Sequence, residues 1–171
     1  MASMLSCYLS LVGLVALQRL AETRRSKRNE RTLRKSGAQE FGAAHFPVMV
    51  TLHAFWLVAC ALESFFNPSP PPAALAIPML ALLFCGQALR LLAMRALGER
   101  WTARVLVLAD APLVEAGIFR YLRHPNYVGV VLEIAALPLI WVCWRSALVF
   151  SLANALLLKH RIRIEEEALG G

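Results

Sequence analysis

Four blocks of Lys and Arg, each set directly beside a long apolar run, constrain this 171-residue chain more than any other feature. They fall at residues 19–35, 90–104, 120–123 and 159–163. A helical residue rises about 1.5 Å and a bilayer core is about 30 Å thick, so apolar runs of about 18 to 20 residues read as membrane spans. Hydrophobic residues make up 58% of the sequence against 17% charged, and the mean hydropathy is +0.57. That balance excludes an ordinary soluble domain. The formal charge of +7 could suggest a nucleic-acid partner. Its confinement to short blocks at the ends of apolar runs is instead the positive-inside pattern of a membrane protein, and no nucleic acid is expected.

The runs predict an all-α, polytopic helical bundle of about five spans forming one domain over residues 1–171. The first runs from about Met4 to Leu20, and its positive charge follows it, which is the reverse of a cleaved signal peptide. The N-terminus is therefore expected outside and the basic segment in the cytosol, with Arg24 to Gly42 forming a surface amphipathic helix and turn. A second span covers His45 to Phe66. Asn67-Pro68-Ser69-Pro70-Pro71-Pro72 makes an uncharged external turn that cannot be helical throughout, and a third span covers Ala73 to Met94. From Asn126 to Leu158 the apolar run is broken near Trp141 to Arg145. It reads as a hairpin of two helices, each near the minimum spanning length, with Pro138 in the bend.

Cys7, Cys60, Cys85 and Cys143 stand alone in apolar segments and read as buried free thiols. His45, His53, His124 and His160 have no zinc spacing, so no metal is expected. The chain lacks a Gly-x-Gly-x-x-Gly turn after a strand, which excludes a soluble dinucleotide fold.

Two polar constellations remain. In the first, Arg123-His124-Pro125-Asn126-Tyr127-Val128-Gly129 opens the fourth span. Pro125 suits a first helical turn because its missing amide hydrogen would be unpaired there anyway. His124 and Tyr127 then sit at a helix mouth whose amides and dipole favour an anionic group. The same residues would also serve as an interfacial anchor. In the second, Arg161 and Glu165 are four apart and share one helix face; on the residues alone an ordinary exposed ion pair is the plainer account. Glu133 lies about two turns inside the fourth span, where an ionisable group is costly and often functional. His53, Gln87 and Asn154 are further polar groups within spans, where hydrogen bonding between helices is the plainer account.

These two constellations, in this order and separated by an apolar hairpin, resemble the isoprenylcysteine carboxyl methyltransferase family and its phospholipid methyltransferase relatives. The likeness lies in Arg123 to Gly129, in Arg161-x-x-x-Glu165-Glu166-x-x-Leu169, and in the lead-in Ala111 to Phe119. It covers roughly the C-terminal half, about residues 95–171. It implies an integral membrane methyltransferase with S-adenosylmethionine as donor in a cytosolic pocket. Leu113, Val114, His124, Pro125, Asn126, Tyr127 and Glu165 would line the cofactor, and Arg161 would face the substrate carboxylate. A lipophilic or prenylated acceptor and the bilayer itself are the implied partners, in a bacterial inner membrane.

Phe119 stands where the family commonly has Tyr, and the chain stops at Gly171 where members usually continue. A carboxylate acceptor needs no general base, whereas a phenol or enol would need one, with His124 or Glu133 as candidates. Arg28-Asn29-Glu30, Gly37 to Gly42 and Arg100-Trp101-Thr102-x-Arg104 resemble a bacterial branch that methylates long-chain polyketides such as alkylpyrones or alkylresorcinols. An NADPH-dependent membrane reductase and a non-catalytic membrane adaptor are the readings from other classes.

Overall fold

The computed structural model describes residues 2–67, 70–109 and 111–170. Five α-helices account for most of them: α1 (Ala2–Lys35), α2 (His45–Phe66), α3 (Ala73–Leu97), α4 (Pro125–Leu139) and α5 (Trp144–Ala168). The second and third spans and the broken hairpin thus form where the hydropathy placed them. Helices α1, α2 and α3 are long and apolar enough to cross a membrane. Helix α4 has 15 residues and rises only about 22 Å. It turns back at a corner over 140–143, so the last two helices form a hairpin shorter than a pair of full spans. Pro138 lies inside α4 rather than in the bend.

Helix α1 departs from expectation. It does not stop at the membrane edge but continues through the basic segment to Lys35, 34 residues in one piece. Its buried positions explain this: Tyr8, Val12, Val15, Glu22, Ser26, Asn29 and Leu33 recur at steps of three, four or seven residues and so lie along one face. The stripe changes from apolar to polar at Glu22 without losing its helical period, and no proline interrupts it. The opposite face carries exposed Leu14, Leu17 and Leu20. Such apolar surface is stable only against lipid, because the helices satisfy their own backbone.

Helices α3 and α4 cross in close contact at two glycines. A Cβ on Gly86 would lie 2.8 Å from the Gly129 carbonyl oxygen, and one on Gly129 would lie 2.6 Å from that of Gly86. Without a hydrophobic force between helices in lipid, such small residues are what allow backbones to approach. At the far end of the bundle, Tyr8 stacks on Trp141 with centroids 5.5 Å apart, and the Trp141 indole donates to the Ser64 carbonyl at 3.1 Å. The carboxylate of Glu63, on α2, accepts from the Ser146 amide at 2.8 Å and its hydroxyl at 2.6 Å. It caps the N-terminus of α5 from a neighbouring helix.

Two short strands add to the helices. β1 (Gln39–Phe41) pairs antiparallel with β2 (Val105–Val107), with Glu40 opposite Leu106. Glu40 also holds the Arg34 guanidinium and that of Arg104, the latter at 2.5 Å. All four cysteines are free; Cys60 and Cys143 are buried, whereas Cys7 and Cys85 are exposed rather than buried as expected.

Gly86→Ala and Gly129→Ala are expected to force α3 and α4 apart and to destabilise the protein by about 1–3 kcal/mol each. Thermal unfolding in detergent measures this, while Gly13→Ala, where an added Cβ meets nothing, serves as the control. Burial alone would raise the Glu40 carboxyl, but Arg34 and Arg104 outweigh it and hold it below the usual range. A depressed carboxyl contributes stabilisation that is complete above the unfolded value of about 4.3 and lost as pH falls through the folded value. The unfolding midpoint should therefore drop on acidification below about pH 4, and Glu40→Gln should flatten that drop.

Candidate active site

The loop over residues 98–104 is built by helix α1. The Asn29 amide donates to the Trp101 carbonyl at 2.7 Å and to that of Gly98 at 3.3 Å. The Ala103 amide donates to the Ser26 hydroxyl at 2.9 Å. The polar half of the α1 stripe thus fixes a loop that runs between two cavities.

The first cavity, about 470 Å³, is polar and mixed in lining. Leu113, Val114, His124, Pro125, Asn126, Tyr127, Arg161 and Glu165 all line it, together with strand β2. His124 stacks on Tyr127 with centroids 5.5 Å apart and its Nε2 lies 3.2 Å from Glu166. The helix mouth offers fewer free donors than its sequence suggests, because the amides of Tyr127 and Val128 both donate to the His124 carbonyl at 3.1 Å. At the base of the cavity Tyr127 joins the two constellations. Its hydroxyl donates to Glu165 and accepts from Arg161 Nε at 2.8 Å. Arg161 and Glu165 do share a helix face, but they meet through this phenol rather than as a surface ion pair. Arg161 is 5% exposed and also donates to the Ala103 carbonyl at 2.6 Å and to Met49 Sδ at 3.0 Å.

The second cavity, about 330 Å³, is more apolar and lies among α1, α2, α4 and α5. It shares Trp101, Thr102, Asn126, Tyr127 and Arg161 with the first. The two spaces therefore meet at the residues that the sequence marked from both constellations.

Glu133 is placed elsewhere. It is fully buried and lines neither cavity. Its carboxylate binds Arg19 and Arg90, the latter at 2.9 Å, and Glu22 binds the same two arginines. Two arginines and two glutamates from α1, α3 and α4 form a closed cluster. The carboxylate considered from sequence as a general base is thus held between two guanidiniums and lines neither cavity. Nor do His53, Gln87 and Asn154 form one cluster: Gln87 pairs with Gln18 at 2.5 Å, while His53 and Asn154 line the second cavity. Sequence reasoning did not single out Met49, whose role arises from a contact that carries no motif of its own, and it named Trp101 only within a resemblance, without a place in the site.

Fold and site define a multi-pass helical membrane protein whose polar pocket meets an apolar cavity. A model of the isoprenylcysteine carboxyl methyltransferase (ICMT) family matches residues 79–170, more than half of the chain. The chain belongs to that family. It is 33% identical over 159 residues to an uncharacterised Bacillus subtilis protein, YpbQ, covering 93% of this chain and 94% of that protein. An uncharacterised Haemophilus influenzae protein is 28% identical over 151 residues, with 84% of each chain covered. Among solved structures, the eukaryotic intramembrane Ras methyltransferase ICMT, isoprenylcysteine carboxyl methyltransferase, superposes with a TM-score of 0.61 at 26% identity. That match covers 72% of this chain, which spans only 45% of the eukaryotic enzyme.

Tyr127→Phe removes the hydroxyl that satisfies both Arg161 and Glu165, and leaving buried partners unpaired costs about 1–3 kcal/mol. Its unfolding midpoint should fall accordingly, while Tyr121→Phe, at an 82% exposed position, should leave the midpoint unchanged.

Proposed function

We propose that the protein is an S-adenosylmethionine-dependent O-methyltransferase acting on a lipophilic acceptor, as the name of its eukaryotic structural relative suggests for that enzyme. The observation that carries this reading is the junction of a polar cavity with an apolar one at Asn126, Tyr127 and Arg161. A charged donor and a lipid-soluble acceptor need such separate approaches to one point. The residues of the first cavity fit the donor. Leu113 and Val114 offer apolar surface to its base, Glu165 and Glu166 offer carboxylates to its ammonium or ribose hydroxyls, and the Asn126 side-chain amide oxygen is buried without a partner. Pro125 and Tyr127 complete that wall beside His124.

When bound, the donor supplies a sulfonium methyl group. The protein's contribution is then alignment and exclusion of water, since transfer to an oxygen anion neutralises opposite charges. Tyr127 and Arg161 hold the junction rigid because their polar groups are already bonded within the protein. Arg161 supplies positive charge where an acceptor oxygen arrives, and Trp101 in the adjoining wall keeps water out. The basic blocks support a cytosolic orientation of the donor cavity in a bacterial inner membrane.

Glu165→Gln should weaken binding of S-adenosylhomocysteine, because a charge-assisted hydrogen bond is about twice as strong as a neutral one. His124→Ala should do the same through loss of its stacking on Tyr127. Arg161→Lys keeps the charge but loses the planar fork, and should raise KM for the acceptor or lower kcat with little change in cofactor affinity. Isothermal titration with S-adenosylhomocysteine, run beside methyl-transfer assays, separates these outcomes. Wild-type protein that binds no S-adenosylhomocysteine would refute the reading, as would identical profiles for the Arg161 and Glu165 variants.

A further inference from the structure

The second cavity is lined by two polar side chains, His53 and Asn154, each with an acceptor atom that makes no hydrogen bond to the described residues. His53, on α2, places Nδ1 2.8 Å from the Met49 carbonyl oxygen. A carbonyl only accepts, so Nδ1 carries the hydrogen, and in the neutral ring Nε2 keeps its lone pair. Nε2 makes no hydrogen bond to any of the described residues, and His53 lines the cavity. Asn154, on α5, lines the same cavity at 2% exposure with its amide oxygen unpartnered. A buried amide without a partner in a mostly apolar space marks a place where a ligand group completes the bonding.

The charges around the cavity define what that group is. Arg19 and Arg90 are each bound by Glu22 and Glu133. Arg161 engages Tyr127, Met49 and Ala103 with its three nitrogens and reaches Glu165 through the phenol. The terminal guanidinium nitrogens of the arginines lining the cavity are already engaged, only Arg90 Nε being buried without a partner, and an ionised carboxylate could donate nothing to the His53 lone pair. A protonated hydroxyl on an otherwise apolar molecule donates its one hydrogen to His53 Nε2, while its oxygen can accept from the Asn154 amide nitrogen. Met49, which touches Arg161 at the junction, is one helical turn from His53, about 5.4 Å along the axis.

Resting on the methyltransferase reading above, we propose that His53 is a catalytic residue that takes the proton of a phenol- or enol-class hydroxyl, with Asn154 holding the same acceptor. The O–H bond gives its proton to Nε2 as the oxygen electron pair forms the new O–C bond. The S–C bond of the sulfonium donor breaks with its electron pair returning to sulfur. The products are a methyl ether, a thioether and an imidazolium, which then releases its proton.

The test uses full-length protein in detergent with long-chain alkylphenols whose ring substituents grade their acidity, and the fatty acid of the same chain length. His53→Gln should lower kcat on the least acidic phenol by about 10²-fold or more, the range of general-base catalysis. The loss should shrink to a few-fold on a nitro-substituted phenol that is already ionised, with S-adenosylhomocysteine affinity unchanged. His53→Asn should reproduce the trend if the first variant folds poorly. Quenching of tryptophan fluorescence by the alkylphenol, without donor, should show binding weakened about five-fold in Asn154→Ala, as expected for one lost hydrogen bond.

A loss of equal size at every acidity would make His53 structural and overturn the proposal. So would wild-type protein that binds S-adenosylhomocysteine yet neither binds nor methylates the alkylphenols, or that methylates only the fatty acid. Failure to bind S-adenosylhomocysteine at all would instead refute the methyltransferase reading on which this rests.

Discussion

The charge cluster of Arg19, Glu22, Arg90 and Glu133 is the interaction on which the rest of the bundle depends. Each member alone would be costly at that depth, and the removal of one partner from a buried pair typically costs about 3–5 kcal/mol. Apolar packing in lipid does not choose between one helix register and the next. Four charges from three helices do, because only one arrangement pairs them all. The cluster therefore fixes α1, α3 and α4 relative to one another, and the glycine crossing of α3 and α4 lets Arg90 reach Glu133 across a short gap.

That register has consequences outside the membrane. With α1 held at Arg19 and Glu22, the next turns of the same face bring Ser26 and Asn29 against residues 98–103. The loop so fixed presents the Ala103 carbonyl to Arg161, and Arg161 in turn orients Tyr127. Bonds thus pass from a buried ion cluster, along one continuous helix and through a loop, to the junction of the two cavities. A break in α1 at the membrane edge would interrupt this chain of support, which gives a physical reason for a helix of 34 residues.

The legible parts of the sequence were those governed by local periodicity. Span limits at His45 and Phe66, the break near Trp141 and the helix start at Pro125 follow from apolar run length and proline chemistry, and they match the observed elements. The likeness of Arg123–Gly129 and Arg161–Leu169 to a family carried its membrane fold. What escaped depended on contacts distant in sequence. Glu63 capping α5 lies 83 positions from its partner Ser146, and nothing local in either residue signals the other. The continuation of α1 was readable in principle from the spacing of Glu22, Ser26, Asn29 and Leu33, but the change from apolar to basic composition obscured it. Strands of three residues fall below the length at which alternation can be recognised. Glu133 was correctly suspect as an intramembrane charge, yet its partners on α1 and α3 determine that it holds structure together.

The same reasoning separates two kinds of buried polar group in this protein. Tyr127 and Arg161 are bonded to other parts of the chain, so they arrive at the junction already ordered. Electrostatic groups that need not reorganise when charge develops are the more effective for it. His53 Nε2 and the Asn154 amide oxygen, by contrast, have no hydrogen-bond partner among the described residues, and both side chains line a cavity of low polarity. An unpaired polar group there carries a desolvation cost that a core built only for stability would avoid with an apolar side chain of similar size. That cost has a function if an acceptor supplies the missing bonds, because the energy released on pairing is then available for positioning the acceptor beside Tyr127 and Arg161 rather than for stabilising the empty fold.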